Sequence, residues 1–141
     1  MGYTVKMVAE KTGLSPHVLR YYEKEGLLPH IKRTQSGIRQ YMDADLEWLG
    51  LICCLKNTGM SIKQIRDFVN LSTQGPQTLK ARCTMLLAHK KEVEKHIEET
   101  NKHLERVSHK IAYFTKQYEE YCLDETIGEE GIGLPQTVSV F

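Results

Sequence analysis

The first thirty residues alternate short amphipathic segments with glycine turns. Residues 4–10 give an extended lead into a short first helix with apolar positions on one face, and Gly13 ends this helix. Ser15 is a good N-cap, and Pro16 suits the first helical position, where its missing N–H costs nothing. The second helix runs to about Gly26. Two short helices joined by a tight, glycine-containing turn predict a helix-turn-helix.

A hairpin pattern and two further helices follow. Residues 31–41 are typical of a short β-hairpin, broken at Ser36-Gly37 and carrying basic residues near its tip. A hairpin attached to a helix-turn-helix is a wing. Asp43 is predicted to cap a third helix that ends near Asn57, and Ser61 a fourth. The inward positions of the fourth helix are Ile62, Ile65, Phe68 and Val69.

The pattern changes after residues 72–77, which form the predicted hinge. From Leu79 onward thirteen positions recur at alternating steps of four and three, and eleven of them are apolar or aromatic. Such a seam is typical of a supercoiled helix pair. At 1.5 Å per residue the helix would span roughly 70 Å, too long for the N-terminal part to cover, so we expect it to pair with a second copy of the chain. The predicted dimer seam includes Leu79, Leu86, Val93, Ile97, Leu104, Val107, Ile111 and Phe114.

These patterns predict a mainly α chain in four parts. They are a winged helix-turn-helix at 1–71, a hinge at 72–77, a coiled-coil dimerisation helix at 78–121 and a flexible acidic tail at 122–141. Lys90 and Thr100 interrupt the seam, and we expect them to fix its register or orientation.

Composition excludes several classes of protein. Within its 141 residues the chain has no basic N-terminal stretch followed by an apolar run, and no run of eighteen uncharged apolar residues. We therefore expect neither a secretory signal nor a membrane span, and a cytoplasmic location. The four cysteines are irregularly spaced, which favours reduced thiols. No paired carboxylates, nucleophile motif or phosphate loop is present, so we expect no enzymatic activity and no cofactor.

The charge distribution indicates a polyanionic partner. The net charge is only +1, but residues 1–70 hold ten Lys and Arg against seven Asp and Glu. Residues 30–39 contain three cations and no acid. A local basic patch can bind a polyanion even where the average charge is weak.

The predicted fold assigns candidate contacts with double-stranded DNA. The second helix of a helix-turn-helix enters the major groove, where Arg20 could grip a phosphate or guanine and tyrosine hydroxyls could meet phosphates. Tyr21 and Tyr22 are adjacent, so at least one should be exposed while the other could be a core aromatic. The candidates on this helix are Ser15, His17, Val18, Arg20, Tyr21 and Tyr22.

The wing and the fourth helix add further candidates. Lys32, Arg33 and Arg39 could straddle the DNA backbone, although an ordinary solvated basic hairpin would have the same sequence. Ser61 and Lys63 mark a second helix N-terminus that could bind a phosphate.

Several motifs in register resemble the MerR family of transcription regulators. They are Val8-Ala9, Thr12-Gly13-Leu14-Ser15, Leu19-Arg20-Tyr21-Tyr22-Glu23, Gly26-Leu27-Leu28, Gly37-Ile-Arg-Gln-Tyr41 and Gly59-Met60-Ser61 with Ile65. We include Tyr41, the last residue of the wing motif, among the DNA contacts. The resemblance implies a homodimer whose long helices pair antiparallel on a pseudo-palindrome within an over-long promoter spacer. It also implies that the dimer distorts this DNA so that RNA polymerase can engage the promoter.

The segment from Trp48 to Ser61 is similar to the NmlR/AdhR branch, which answers to aldehydes and thiol stress. That branch has a cysteine directly before Leu-Lys, here Cys54. The resemblance implies that an electrophile or oxidant modifies this thiolate. A free cysteine in an apolar helix is otherwise an ordinary core residue, and a helix C-terminus disfavours a thiolate. Cys53 has no assigned role.

Two other functions stay open. One is a metal-sensing member of the family that uses Cys83 and Cys122 together with histidines of the long helix (His89, His96, His103 and His109). Against it, both cysteines fall on or beside the apolar seam, and the segment after the long helix lacks the second cysteine that a soft-metal site would want, so we expect no metal site. The other is a coiled-coil interaction module that does not bind DNA.

Overall fold

A computed structural model describes residues 2–125 of the chain. The helices are α1 (Val5–Thr12), α2 (Pro16–Lys24), α3 (Asp43–Asn57), α4 (Ile62–Thr73) and α5 (Leu79–Glu125), with a 3-10 turn at Pro76–Thr78. Strands β1 (Lys32–Arg33) and β2 (Arg39–Gln40) pair antiparallel, with Lys32 opposite Gln40. The predicted mainly α, winged helix-turn-helix with a long C-terminal helix is confirmed. The chain divides into two units, Met1–Val93 and Glu94–Phe141.

Local capping explains where the first two helices begin and end. The Val18 N–H donates to Ser15 Oγ at 3.2 Å, which makes Ser15 the N-cap of α2 as predicted. Pro16 occupies the first turn. Gly13 ends α1 with a φ of +74°, in the left-handed region that favours glycine.

The sequence predicted the N-cap of α4 correctly but not the N-cap of α3. Met42, not Asp43, is the N-cap of α3, and its N–H donates to Asp45 Oδ2 at 2.8 Å. An acid at the third helical position can reach back in this way. The Asp43 carboxylate instead accepts a hydrogen bond from the Tyr3 hydroxyl at 2.7 Å. Ser61 caps α4 as predicted, in a reciprocal pair with Gln64.

The core of the first unit lies between α1–α4 and the turn after α2. The Trp48 ring stacks on Phe68 at 5.9 Å, and its Nε1–H donates to the Leu27 carbonyl at 3.1 Å. Leu86 and Met85, from the beginning of α5, pack against this core. Leu86 was predicted to belong to the dimer seam, but within one chain it already covers the first unit. The buried core residues include Val8, Leu19, Leu27, Leu49, Ile52, Ile65 and Val69.

The second unit carries a row of exposed apolar side chains on α5. The seam residues Ile97, Leu104, Val107, Ile111 and Phe114 are between 43% and 60% exposed. No residue of α5 is buried. Among the residues that the structure describes, no helix is both long and apolar enough to cross a membrane.

The predicted hinge is shorter in the structure, and the long helix extends further. Helix α4 continues to Thr73 and the 3-10 turn begins at Pro76, so only residues 74 and 75 lie outside both. Helix α5 extends to Glu125, the last residue that the structure describes, so residues 122–125, assigned to the flexible tail, are helical. The rest of the predicted tail, 126–141, lies outside the described residues.

Candidate nucleic-acid interface

Helix α2 presents one polar edge to solvent. His17, Arg20 and Tyr21 are exposed, Tyr21 by 44% of its surface. Arg20 makes no ion pair with any described residue, so its guanidinium is available to a phosphate or a base edge. Ser15 is exposed at the N-terminus, although its hydroxyl oxygen is occupied by the helix cap.

The opposite edge of α2 belongs to the core. Tyr22 is 7% exposed, and the rings of Tyr21 and Tyr22 lie 6.2 Å apart and tilted. Val18 is half-buried and packs against the core. Burial raises the pKa of Tyr22 above its ordinary value. Tyr22 and Val18 therefore lie on the side of the helix that packs inward, and they offer less surface to a ligand than His17, Arg20 and Tyr21 do.

Tyr41 is also a core residue and not a surface contact. It is 1% exposed, and its buried hydroxyl has no hydrogen-bond partner among the described residues. Its backbone pairs with Tyr3 through two hydrogen bonds of 2.7 and 2.9 Å. Burial is the main cause that raises the pKa of Tyr41, and the nearby Glu23 charge adds to it. The prediction of a DNA contact at Tyr41 is therefore corrected, since the strand pairing turns its ring inward.

Both arginines of the wing are bound to one acid on α2. Arg39 Nε donates to Glu23 Oε2, and Arg33 Nη2 lies 3.5 Å from Glu23 Oε1. Arg33 also donates through Nη1 to the Gly37 carbonyl at 3.0 Å. Lys32 is exposed and forms no ion pair with a described residue. Glu23 was not among the residues predicted from sequence, although an acid on the second helix beside a basic wing is a signal for such a pair.

The beginning of α4 offers a second exposed helix N-terminus. Ser61 and Lys63 are exposed, but the Ser61 hydroxyl oxygen accepts the Gln64 N–H at 3.1 Å. Arg66, one turn later, donates through Nε to the Glu25 carbonyl at 2.7 Å and pairs with the Glu25 carboxylate. This pair, also missed from sequence, joins the first turns of α4 to the end of α2.

Cys54 is an exposed thiol in the last turn of α3. Its carbonyl accepts hydrogen bonds from the Thr58 N–H at 3.0 Å and from the Thr58 hydroxyl at 2.7 Å. The same hydroxyl oxygen lies 2.7 Å from His89 Nε2 on α5. Cys53 is half-buried against the core, and burial raises the pKa of its thiol. The two adjacent cysteines therefore differ in access to solvent.

The described residues contain no group of three His, Cys, Asp or Glu side chains that could hold a metal ion. Cys83 is exposed on α5 and Cys122 is half-buried.

Two family models match the chain. The model of the MerR helix-turn-helix family of regulatory proteins covers residues 3–71, and the model described as MerR, DNA binding covers residues 46–110. The matches include every candidate contact on α2, the wing and α4, together with the first part of α5.

Individual relatives agree with these models. The chain is 41% identical over 116 residues to an uncharacterized helix-turn-helix-type transcriptional regulator of Haemophilus influenzae, covering 82% of this chain and 86% of that protein. It is 39% identical over 82 residues to the transcriptional regulator AdhR of Bacillus subtilis, covering 58% and 59%.

Two solved structures are similar over most of the chain. HiNmlR, described as a MerR family regulator lacking the sensor domain and bound to promoter DNA, has a TM-score of 0.79 at 41% identity, over 82% of this chain and 92% of that one. A MerR family regulator from Bacillus thuringiensis has a TM-score of 0.75 at 36% identity, over 80% and 99%. The chain therefore belongs to the MerR family of DNA-binding transcription regulators, in the NmlR/AdhR-like branch.

Proposed function

We propose that this regulator acts as a homodimer whose α5 helices pair antiparallel. The observation that carries this proposal is the exposed apolar row on α5, with Ile97, Leu104, Val107 and Ile111 among its members. Complete burial of an aliphatic or aromatic side chain contributes about 1.5–3 kcal/mol, so covering five half-exposed ones favours association strongly. The Lys and Glu side chains between these positions give a polar outer face.

The row has the shape that a second helix needs. An apolar groove lined by Val107, Ile111 and Phe114 runs along α5, and Arg106 and Lys110 stand at its edges. Knobs from a partner helix fill such grooves in a coiled coil. Antiparallel pairing would set two DNA-binding units apart on one duplex, as a pseudo-palindromic operator requires.

Each DNA-binding unit would contact DNA through side chains that remain exposed. His17, Arg20 and Tyr21 would enter the major groove, and Lys32 would meet the backbone from the wing. Lys63 and the N–H groups at the beginning of α4 would bind a second phosphate. Arg33 and Arg39 would act from positions that Glu23 fixes.

Arg20 is the sharpest test of this arrangement. Arg20→Ala should weaken binding to the operator by about 1–3 kcal/mol and relax sequence preference at the position it reads. Lys63→Ala is the matched control for a phosphate contact. It should weaken binding to all DNA sequences equally, and it should make the dependence of log affinity on log salt concentration shallower. Equal losses on operator and random DNA for Arg20→Ala would contradict the groove assignment.

The proposed action at the promoter is that of a spacer-correcting activator. The dimer would stay bound within an over-long spacer and distort it so that RNA polymerase contacts both promoter elements. Membership in the MerR family supports this step. Footprinting on the chain's own upstream region should place the protein between the two promoter elements, with hypersensitive cleavage at the centre after exposure to effector. A footprint outside the spacer would contradict the proposal.

The proposed signal is an aldehyde that reacts with Cys54. The thiolate is the nucleophile: its sulfur would add to the carbonyl carbon of formaldehyde, forming an S–C bond while the carbonyl oxygen takes a proton. The product is an S-hydroxymethyl cysteine, and the thiol proton leaves to solvent. Exposure of the thiol and its position one turn from the Thr58–His89 contact support this choice.

A promoter-reporter assay with mass spectrometry of the purified protein tests the signal. Formaldehyde should induce the wild type, and Cys54→Ser should not respond while still binding the operator. Cys83→Ser is the matched control, because Cys83 is also exposed but lies on α5. A normal response of Cys54→Ser would reject the aldehyde mechanism and leave DNA binding untouched.

A further inference from the structure

The first unit contains a cavity of about 360 Å³ whose lining includes none of the candidate DNA contacts. It lies between the turn after α2, the beginning of α3, the end of α4 and the beginning of α5. Its volume falls in the range of small-molecule sites, about 300–1,000 Å³. Its lining consists of Leu28, Pro29, His30, Ala44, Asp45, Trp48, Val69, Ser72, Thr73 and Arg82.

Arg82 gives this cavity a fixed positive charge. The residue is half-buried, and its Nε donates to Thr78 Oγ1 at 3.1 Å while Nη2 donates to the Gly75 carbonyl at 3.2 Å. No carboxylate among the described residues pairs with it. Nη1 donates no hydrogen bond to any described residue. A held guanidinium with free donors is well suited to a carboxylate, which accepts two parallel hydrogen bonds.

The remaining walls favour a flat apolar body. Leu28, Ala44 and Val69 are apolar, and Trp48 contributes its ring because its only N–H is already donated to Leu27. Asp45 also lines the cavity, and its carboxylate is held by the Met42 N–H. Because the Asp45 charge repels an anion, we place the ligand's anion on the Arg82 side and its uncharged end toward α3.

We propose that this cavity binds a small aromatic carboxylate, with the carboxylate on Arg82 and the ring against Trp48. The site goes beyond the proposed aldehyde response, because it is non-covalent and does not involve Cys54. Arg82 also holds Gly75 and Thr78, at the turn between α4 and α5. An occupied site would therefore bear on the turn that joins the DNA-binding helices to the dimerisation helix.

Trp48 provides a direct assay, because it is the only tryptophan in the chain. Titration of the full chain with phenylacetate, benzoate and naphthoate should give a saturable change in Trp48 fluorescence for at least one of them. Phenylacetamide, which lacks the charge, should bind at least tenfold more weakly than phenylacetate. No saturable change with any of the three acids, or equal binding of the amide, would overturn the proposal.

Variants separate the site from general effects. Arg82→Gln should lose binding at least tenfold, whereas Lys80→Gln, which removes the same charge from an exposed position on α5, should bind as the wild type does. If Arg82→Gln proves misfolded by circular dichroism, Ala44→Leu tests the same site by filling the cavity and should also lose binding. Retained binding in a folded Arg82→Gln or in Ala44→Leu would place the ligand elsewhere and reject the site.

Discussion

The Thr58 hydroxyl lies 2.7 Å from His89 Nε2 and so joins the end of α3 to α5. In the arrangement in which this hydroxyl donates its hydrogen to the Cys54 carbonyl at 2.7 Å, it accepts a hydrogen bond from the Nε2–H tautomer of His89. The backbone at Cys54 is thus connected to α5 through a single side chain.

Removal of this connection should separate effector sensing from DNA binding. Thr58→Val keeps the side-chain shape but loses the hydroxyl, so we expect operator affinity within twofold of wild type and a several-fold smaller induction by formaldehyde. Thr84→Val, which removes another exposed hydroxyl of the first unit, is the control. Normal induction of Thr58→Val would show that the contact with His89 does not transmit the signal.

Glu23 should limit how strongly the arginines of the wing attract DNA phosphates. Glu23→Gln removes the acid that faces Arg33 and Arg39, so both cations become more available to phosphates. We expect tighter binding to random DNA, and a plot of log affinity against log salt that is steeper by up to about 2. The ratio of operator to random binding should fall. Glu47→Gln, an exposed acid on α3, is the control, and weaker binding with an unchanged salt slope would contradict this role.

The apolar row on α5 should determine the oligomeric state. Leu104→Lys places a charge within the proposed dimer interface, so sedimentation should show monomers at concentrations where the wild type is dimeric. Glu105→Lys introduces the same side chain one position off the row and should remain dimeric. Thermal unfolding followed by circular dichroism shows whether the first unit of the variant is still folded, and so distinguishes dissociation of the dimer from misfolding. Dimers of normal stability for Leu104→Lys would reject the seam.

Tyr41 should tolerate loss of its hydroxyl. Tyr41→Phe removes a buried polar group that has no partner among the described residues, so the free energy of unfolding should be unchanged or rise by about 1 kcal/mol. Operator affinity should not change, because the residue is inaccessible. A loss of more than about 1 kcal/mol, or of operator affinity, would show that the hydroxyl makes a contact.

The same tyrosine predicts a pH dependence. Its pKa is raised in the folded protein, so above the ordinary value near 10 the unfolded chain loses the phenol proton first. Stability is therefore complete below that pH and falls as pH rises toward the folded pKa. Chemical unfolding between pH 9 and 11 should show that the free energy of unfolding falls less steeply with pH for Tyr41→Phe than for the wild type. Identical slopes of unfolding free energy against pH would exclude Tyr41 as a source of this pH dependence.

Short-range signals made much of this fold predictable. Ser15 and Ser61 each cap the helix that follows them, and heptad spacing along α5 depends only on neighbouring turns. The burial of Tyr22 and of Tyr41 was not predictable, since packing against distant elements decides which side of a local segment faces the core. The Glu23 pairs join residues 10 and 16 apart in the chain, and the Arg82 cavity needs four separate segments, so neither appears in any local pattern.

The contact of Met85 and Leu86 with the core of the first unit has a practical consequence for modular engineering. Gly75 looks like a natural junction at which to exchange DNA-binding units between relatives, yet a cut there would remove two side chains that pack against the core of this unit. A DNA-binding unit that is transferred together with the residues up to Val93 keeps both of these core contacts. Evolutionary exchange between such regulators is subject to the same constraint, so the beginning of the dimerisation helix should be inherited together with the DNA-binding unit.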